Sequence, residues 1–292
     1  MNILTILRCP LCGNALDREE KILRCLSGHC FDIAKEGYVN LLPPGKGRNA
    51  KTGDEKDMIR ARRDFLAGEY YAPISDGIAA LLDAYLPEGD TVLCDSGCGE
   101  GWHTLRYTRK LAEKGGRNLL TAGFDASKYG AACAMKAVRR DGIDCEIGLE
   151  RSLQAFFFPG NLFSLPLADH SVSAVISMFA PVASEENLRV LRDDGILLTA
   201  ASGRDHLREM RELLYTDVHY VEKEPEYTGF ELAENATVQY TVTLPDKVTV
   251  ENLFMMTPFY YRTAPEGRKR LLAEDSLTVT VETELRVYRR NI

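Results

Sequence analysis

One stretch limits the folds open to this chain more than any other: the apolar run TVLC (91–94), the loop DSGCGEG (95–101), a helical run at 104–112, a second apolar run TAGF (121–124), and then Asp125. A short buried strand that empties into a loop with glycines at 97, 99 and 101 brings backbone to where side chains would otherwise stand. Such a loop is either a tight turn or a cradle for a ligand. The pattern continues with apolar runs at 155–158, 173–178 and 196–200, separated by helical stretches at 128–140 and 185–191. Strands joined by helices of that length make parallel crossovers, so the spacing predicts an α/β fold with a doubly wound, Rossmann-like sheet. The tail differs: TVQYTVTL (237–244) and LTVTVETELRVY (277–288) alternate apolar and polar residues, which predicts an antiparallel C-terminal edge. Upstream, the apolar spacing over 57–86 predicts two helices separated by Pro73.

The order strand, glycine loop, helix, strand, acid favours the cradle. Asp125 lies 24 residues beyond Gly101, where the ribose-binding carboxylate of a nucleotide fold sits. The loop spacing is G-x-G-x-G, not the G-x-G-x-x-G of dinucleotide sites. Its acids, Asp95 and Glu100, disfavour a pyrophosphate and favour a ligand carrying an ammonium or a sulfonium. S-adenosylmethionine carries both.

Four of the eight cysteines (Cys9, Cys12, Cys25, Cys30) fall within the first thirty residues. Cys9, Cys12, Cys25 and His29 give C-x2-C-x12-C-x3-H, two close pairs on separate turns, as a closed tetrahedral Zn²⁺ site requires. All four ligands are soft or borderline, which predicts a structural zinc. Cys30 adjoins His29 and competes with it for the fourth corner. About forty residues build little core of their own, and a metal replaces it.

Composition limits the partners. The net charge of −7 argues against a generally basic nucleic-acid coat, yet between Lys46 and Arg63 seven Lys or Arg face three acids. No run of about 18 apolar residues appears, which predicts no membrane span, and the N-terminal segment lacks a secretory pattern, so the expected location is cytoplasmic. The boundaries that follow are a zinc-binding domain over 1–45, a basic linker and helix over 46–75, and a ligand-cradling domain over 76–292.

The zinc pattern, FDIAKEGYVNLLPP (31–44), GDEKDMIRARRDFLAGEYYAPI (53–74), CDSGCGEG, GFDASK, FAP and MTPFYYR together resemble the bacterial guanine-N1 methyltransferases of 23S ribosomal RNA, the family that includes the tylosin-resistance methyltransferases. The resemblance runs nearly end to end, and FDIAKEGYVNLL beside a four-ligand zinc site carries more specificity than the glycine loop. It implies a Rossmann-like class I S-adenosylmethionine-dependent methyltransferase with a small N-terminal zinc domain, acting on an RNA hairpin, as a homodimer in keeping with a grip from two sides. The resemblance implies RNA recognition for residues 1–45 and methyl transfer for residues 76–292. It also implies site residues: Cys9, Cys12, Cys25 and His29 for zinc; Asp95, Gly97, Gly99, Glu100, His103 and Thr104 at the methionine end of the cofactor; Asp125 at its ribose; Tyr71 and His206 lining its site; and Asn161 at the adenine edge. The chain departs from the family pattern at Ser96, where an aliphatic residue is usual, and at RDDG (192–195).

Methyl transfer from a sulfonium is mostly positioning. Guanine N1 also carries a proton that must be lost, and no residue identifies itself as the base. Phe179, in FAP, either stacks on the target base or fills the core. Lys46, Arg48, Lys51, Arg60, Arg62 and Arg63 are candidates for phosphate contacts, while Arg286, Arg289 and Arg290 read as solvated surface charge. Two competing functions are a small-molecule methyltransferase, which has no use for a zinc knuckle, and a non-catalytic RNA binder with a degenerate cofactor site.

Overall fold

A computed structural model describes residues 1–43, 54–216 and 225–291. The N-terminal unit is a three-stranded antiparallel sheet, β1 (Leu16–Glu19), β2 (Ile22–Cys25) and β3 (Cys30–Asp32), preceded by a single 3-10 turn. Its two metal-bearing turns each end on a left-handed glycine, with Gly13 N–H donating to the Cys9 carbonyl at 2.8 Å and Gly28 N–H to the Cys25 carbonyl at 2.9 Å. Only glycine takes that backbone cheaply.

Two helices follow, α1 (Lys56–Ala67) and α2 (Ala72–Tyr85). The break between them lies at residues 68–71, not at Pro73. Pro73 sits in the first turn of α2, where its missing N–H costs nothing, and the chain turns at Glu69 with φ 59°.

The larger sheet contains β4 (Gly89–Ser96), β5 (Arg117–Asp125), β6 (Leu153–Pro159), β7 (Val172–Met178), β8 (Leu191–Ser202), β9 (Phe230–Leu244) and β10 (Leu277–Arg290), in the order β6-β5-β4-β7-β8-β10-β9. β4 to β8 are parallel, and β10 runs antiparallel between β8 and β9. The expected doubly wound sheet with an antiparallel edge is therefore present. β9 begins earlier than the alternating run at 237 suggests, because FELAENA (230–236) does not alternate yet pairs along β10 through a register shift at Val287/Tyr288.

Helices α3 (Trp102–Lys114), α4 (Lys128–Arg140) and α5 (Ser184–Val190) make the crossovers. The short helices α6 (Arg208–Leu214), α7 (Lys247–Met255), α8 (Phe259–Arg262) and α9 (Pro265–Leu271) close the C-terminal half; pieces this brief show no helical period in the sequence.

The core has two main parts. On one face of the sheet α2, α3, α6 and α7 bury residues such as Ile78, Leu82, Tyr107, Met210 and Leu253. On the other, Ile3, Leu7, Leu16, Leu23, Val39 and Leu41 of the N-terminal unit pack in one cluster with Val92, Leu120, Phe124, Phe156 and Phe158 of the sheet. Backbone joins them too: Arg8 N–H donates to the Pro166 carbonyl and Ala168 N–H to the Ile6 carbonyl, both at 2.8 Å, and Leu41 N–H to the Pro159 carbonyl at 2.9 Å. The zinc unit thus covers a face of the sheet that would otherwise be exposed. No helix among the described residues is long and apolar enough to cross a membrane.

Candidate active site and metal centre

The ligand atoms of Cys9, Cys12, Cys25 and His29 lie within 4.8 Å of one another. Cys9 Sγ is 3.5 Å and Cys25 Sγ 3.4 Å from His29 Nδ1, and Cys12 Sγ is 3.6 Å from Cys25 Sγ. A tetrahedron with Zn–S bonds of about 2.3 Å has edges of about 3.8 Å, so the donor set fits zinc. Cys30 stands outside it, its thiol turned to the Gly28 carbonyl at 3.4 Å, and His29 takes the fourth corner.

The glycine loop leaves β4 at the switch point between β4 and β7, where open α/β sheets bind ligands. Gly97 has φ 101°, and a Cβ there would lie 2.5 Å from Cβ of Ala180 in the facing loop. Gly101 has φ 78° and opens α3. The loop is closed from below by Asp125, whose Oδ2 accepts from Gly99 N–H at 3.1 Å and whose Oδ1 accepts from Ser127 N–H at 2.7 Å. Each oxygen keeps a lone pair for a ribose hydroxyl. Ser96 is buried and pairs in register with Phe124, so this departure leaves the path of the loop intact.

Asp95 is buried beneath the loop. Its Oδ2 accepts from Thr104 Oγ1 at 2.5 Å and from Tyr107 Oη at 2.7 Å, and its Oδ1 has no partner among the described residues. Burial pushes the carboxyl up to about 6, against the lowering effect of those hydrogen bonds. Burial also raises Glu100, with Arg62 opposing it. A buried carboxylate with an idle oxygen behind the loop, and Glu100 and Asp125 at its surface, give the site the negative field that suits the ammonium and sulfonium of S-adenosylmethionine.

Tyr71 and His206 meet above the loop, Oη to Nε2 at 3.4 Å. His206 Nδ1 accepts the backbone N–H of Glu282 at 3.3 Å, which leaves the ring proton on Nε2. Burial lowers His206 to about 4 and His103 to about 3, so both are neutral at neutral pH. His103 Nδ1 is 2.6 Å from Ser75 Oγ.

These parts open into one cavity of about 860 Å³. Tyr71, Gly97, Gly99, Glu100, His103, Asp125, His206 and Phe179 all line it. Asp95 and Thr104 do not: Asp95 lies buried behind the loop, with Thr104 hydrogen-bonded to it there. Asn161 is also outside the lining: its Oδ1 accepts from Phe163 N–H at 3.1 Å, folding the loop on itself and presenting Leu162 instead. Phe179 is 45% exposed with φ 51°, its ring 5.8 Å from that of His206, so it is a displayed aromatic and not core filling.

The sequence reading missed the far wall, Tyr227, Met256, Phe259 and Tyr261, and also Met58 and Asp54. Only MTPFYYR hinted at it. Arg62 is a correction: it does not face solvent for phosphate but turns inward, pairing with Asp54 and lying 3.1 Å from Glu100. Arg60 and Arg63 stay on the surface beside Asp64. Lys46, Arg48 and Lys51 lie outside the described residues. Arg290 is a further correction: it is not a solvated charge but donates to the carbonyls of Leu188 and Leu191.

A parallel sheet of this order, a glycine loop and a buried acid after its first strand, and an acid after its second define a class I S-adenosylmethionine-dependent methyltransferase. Residues 7–48 match the model of the RlmA N-terminal zinc ribbon. The chain is 32% identical to a protein of Micromonospora griseorubida described as "Putative 23S rRNA (guanine-N(1)-)-methyltransferase", over 99% of this chain and 98% of that one. It is also 32% identical to the 23S rRNA (guanine(748)-N(1))-methyltransferase of Streptomyces fradiae, over 73% of this chain and 69% of that one. A solved structure, the YcgJ protein of Bacillus subtilis, aligns with a TM-score of 0.47 at 14% identity, over 73% of this chain and 98% of that one. The chain belongs to the 23S rRNA (guanine-N1)-methyltransferase family.

Proposed function

We propose that this chain transfers the methyl group of S-adenosylmethionine to N1 of a guanine in a hairpin of 23S ribosomal RNA. The observation that carries the reading is the single cavity in which the cofactor loop faces the displayed ring of Phe179 and a wall of further aromatics. When bound, the cofactor supplies an activated methyl on a sulfonium. Asp125 holds the ribose hydroxyls, and Asp95, buried behind the loop and ordered by Thr104 and Tyr107, supplies the negative field that favours the ammonium. Tyr71, fed by the Nε2–H of His206, donates toward the methionine carboxylate. Phe179 stacks on the extruded guanine and sets N1 in line with the methyl.

Among the described residues, the carboxylates that line the cavity are Asp54, Glu100 and Asp125, beside the cofactor loop, and His206 is held as a donor. Among the described residues the aromatic wall therefore carries no ready base, and the N1 proton passes to water. The zinc unit, residues 1–45, and the basic linker supply phosphate contacts, with a second copy of the chain on the other side of the hairpin; sedimentation with and without RNA tests that part. The activity is tested by primer extension on undermethylated 23S rRNA. The expected result is an arrest at one guanine that needs enzyme and cofactor and disappears in Asp125→Ala. No arrest at any guanine overturns the reading.

A further inference from the structure

Beyond the cofactor cavity, a second concavity of about 720 Å³ lies between α8 and α9, lined by Tyr260, Tyr261, Thr263, Arg268, Lys269 and Leu272 among others. Tyr261 lines both concavities and stands 64% exposed, so the two share a wall. We propose that this groove seats the RNA strand that leads out of the active-site cavity, with a base stacked on Tyr261 and backbone phosphates on Arg268 and Lys269. This rests on the reading that the substrate is RNA.

Three observations support it. First, the sign of the groove is opposite to that of the chain. The net charge is −7, yet residues 262–271 carry four basic side chains against Glu266 alone, and among the described residues no carboxylate lines the groove. Second, the cations differ in how they are held. The Arg268 guanidinium lies 4.4 Å from the ring centre of Tyr260 and donates to the Tyr260 carbonyl at 2.9 Å, while its Nε is buried without a hydrogen-bond partner. Arg270 is spent on the carbonyl of Leu213 at 2.8 Å. Lys269 is exposed and makes no ion pair among the described residues. The groove thus offers one rigid planar cation and one free point charge, and a polyanion neutralises both. Third, Tyr261 and Tyr260 meet edge to face, centroids 5.3 Å apart at 86°. Tyr261 is nonetheless 64% exposed, and an exposed aromatic ring accepts any base without reading its sequence. A guanine flipped into the cavity carries its neighbouring nucleotide past Tyr261, because the strand is continuous.

The test is filter binding of an unmodified 23S rRNA transcript, with S-adenosylmethionine affinity measured in parallel by calorimetry. Lys269→Glu is expected to weaken RNA binding about tenfold and to lower the slope of log affinity against log salt by about one. Lys269→Arg is expected to keep both, and cofactor affinity is unchanged in either variant. Tyr261→Phe is expected to retain RNA affinity, and Tyr261→Leu to lose several-fold. Wild-type RNA affinity and salt slope in both Lys269→Glu and Tyr261→Leu overturn the proposal, as does a Lys269→Glu protein that no longer binds cofactor. A wild-type protein that binds the transcript but methylates no guanine overturns the activity and leaves the groove standing. A wild-type protein that does not bind the transcript overturns both.

Discussion

The hydroxyl of Tyr71 lies 3.4 Å from Nε2 of His206, a residue 135 positions further along the chain. Because Glu282 N–H occupies Nδ1, the ring is a donor at Nε2, and the Tyr71 hydroxyl is free to donate its own proton into the cavity. Tyr71→Phe removes that donor and leaves the buried ring in place. Cofactor affinity is expected to fall about fivefold, matching about 1 kcal/mol for one hydrogen bond, with little change in the unfolding temperature. Calorimetry alongside a thermal melt checks it; unchanged affinity removes Tyr71 from the cofactor site.

Asp95 gives cofactor binding a pH dependence. Its carboxyl, raised to about 6 by burial, must be ionised to supply the field that favours an ammonium. Binding a cation favours the deprotonated form, so the Kd for S-adenosylmethionine is expected to be flat above pH 6 and to rise about tenfold per unit below it. His206 and His103 titrate near 4 and 3 and contribute nothing in the range from 5 to 7. The same titration in Asp95→Asn should start weaker and lose the slope.

Metal removal should reach beyond the ribbon. Cys9 and Cys25 belong to the same buried cluster as Phe124 and Phe156 of the sheet, and structural zinc contributes on the scale of a whole domain's stability. Chelation, or His29→Ala, is expected to lower the melting temperature of the entire chain by about 10 °C or more in one transition. Cys30→Ser should still hold one zinc per chain, read by elemental analysis. A melt with two separate steps would argue against the shared core.

Phe179 separates binding from turnover. Phe179→Ala should leave cofactor affinity within about twofold while RNA methylation falls by about 10²-fold, as loss of base positioning costs. Gly97→Ala should do the reverse. Its φ of 101° and a Cβ 2.5 Å from Ala180 strain the loop, so cofactor affinity is lost first.

The strands β4 to β8 and the helix α4 were legible because buried parallel strands and amphipathic helices write their period into the sequence. So were the zinc ligands, since their spacing is dictated by one small ion. Arg62 was not: a run of RARR reads as a solvated face, and only the approach of α1 to the loop reveals that one arginine turns in to Glu100. Asn161 failed for a related reason, because a two-residue hydrogen bond to Phe163 N–H decides where its amide points. The aromatic wall comes from α8, the end of α7 and, for Tyr227, the loop before β9, all too short to carry a period, and its members meet the loop only through tertiary folding.

The cluster that joins the ribbon to the sheet bears on how specificity in this family can be altered. A chimera that exchanges residues 1–43 between relatives would import half of a core fitted to another sheet: Leu7 against Leu167, Leu41 beside Pro159. The ribbon is not a cassette. The part free to vary is the solvent side of the two metal turns, where Leu26 stands 90% and Leu11 43% exposed, and a substitution there leaves what lies beneath undisturbed.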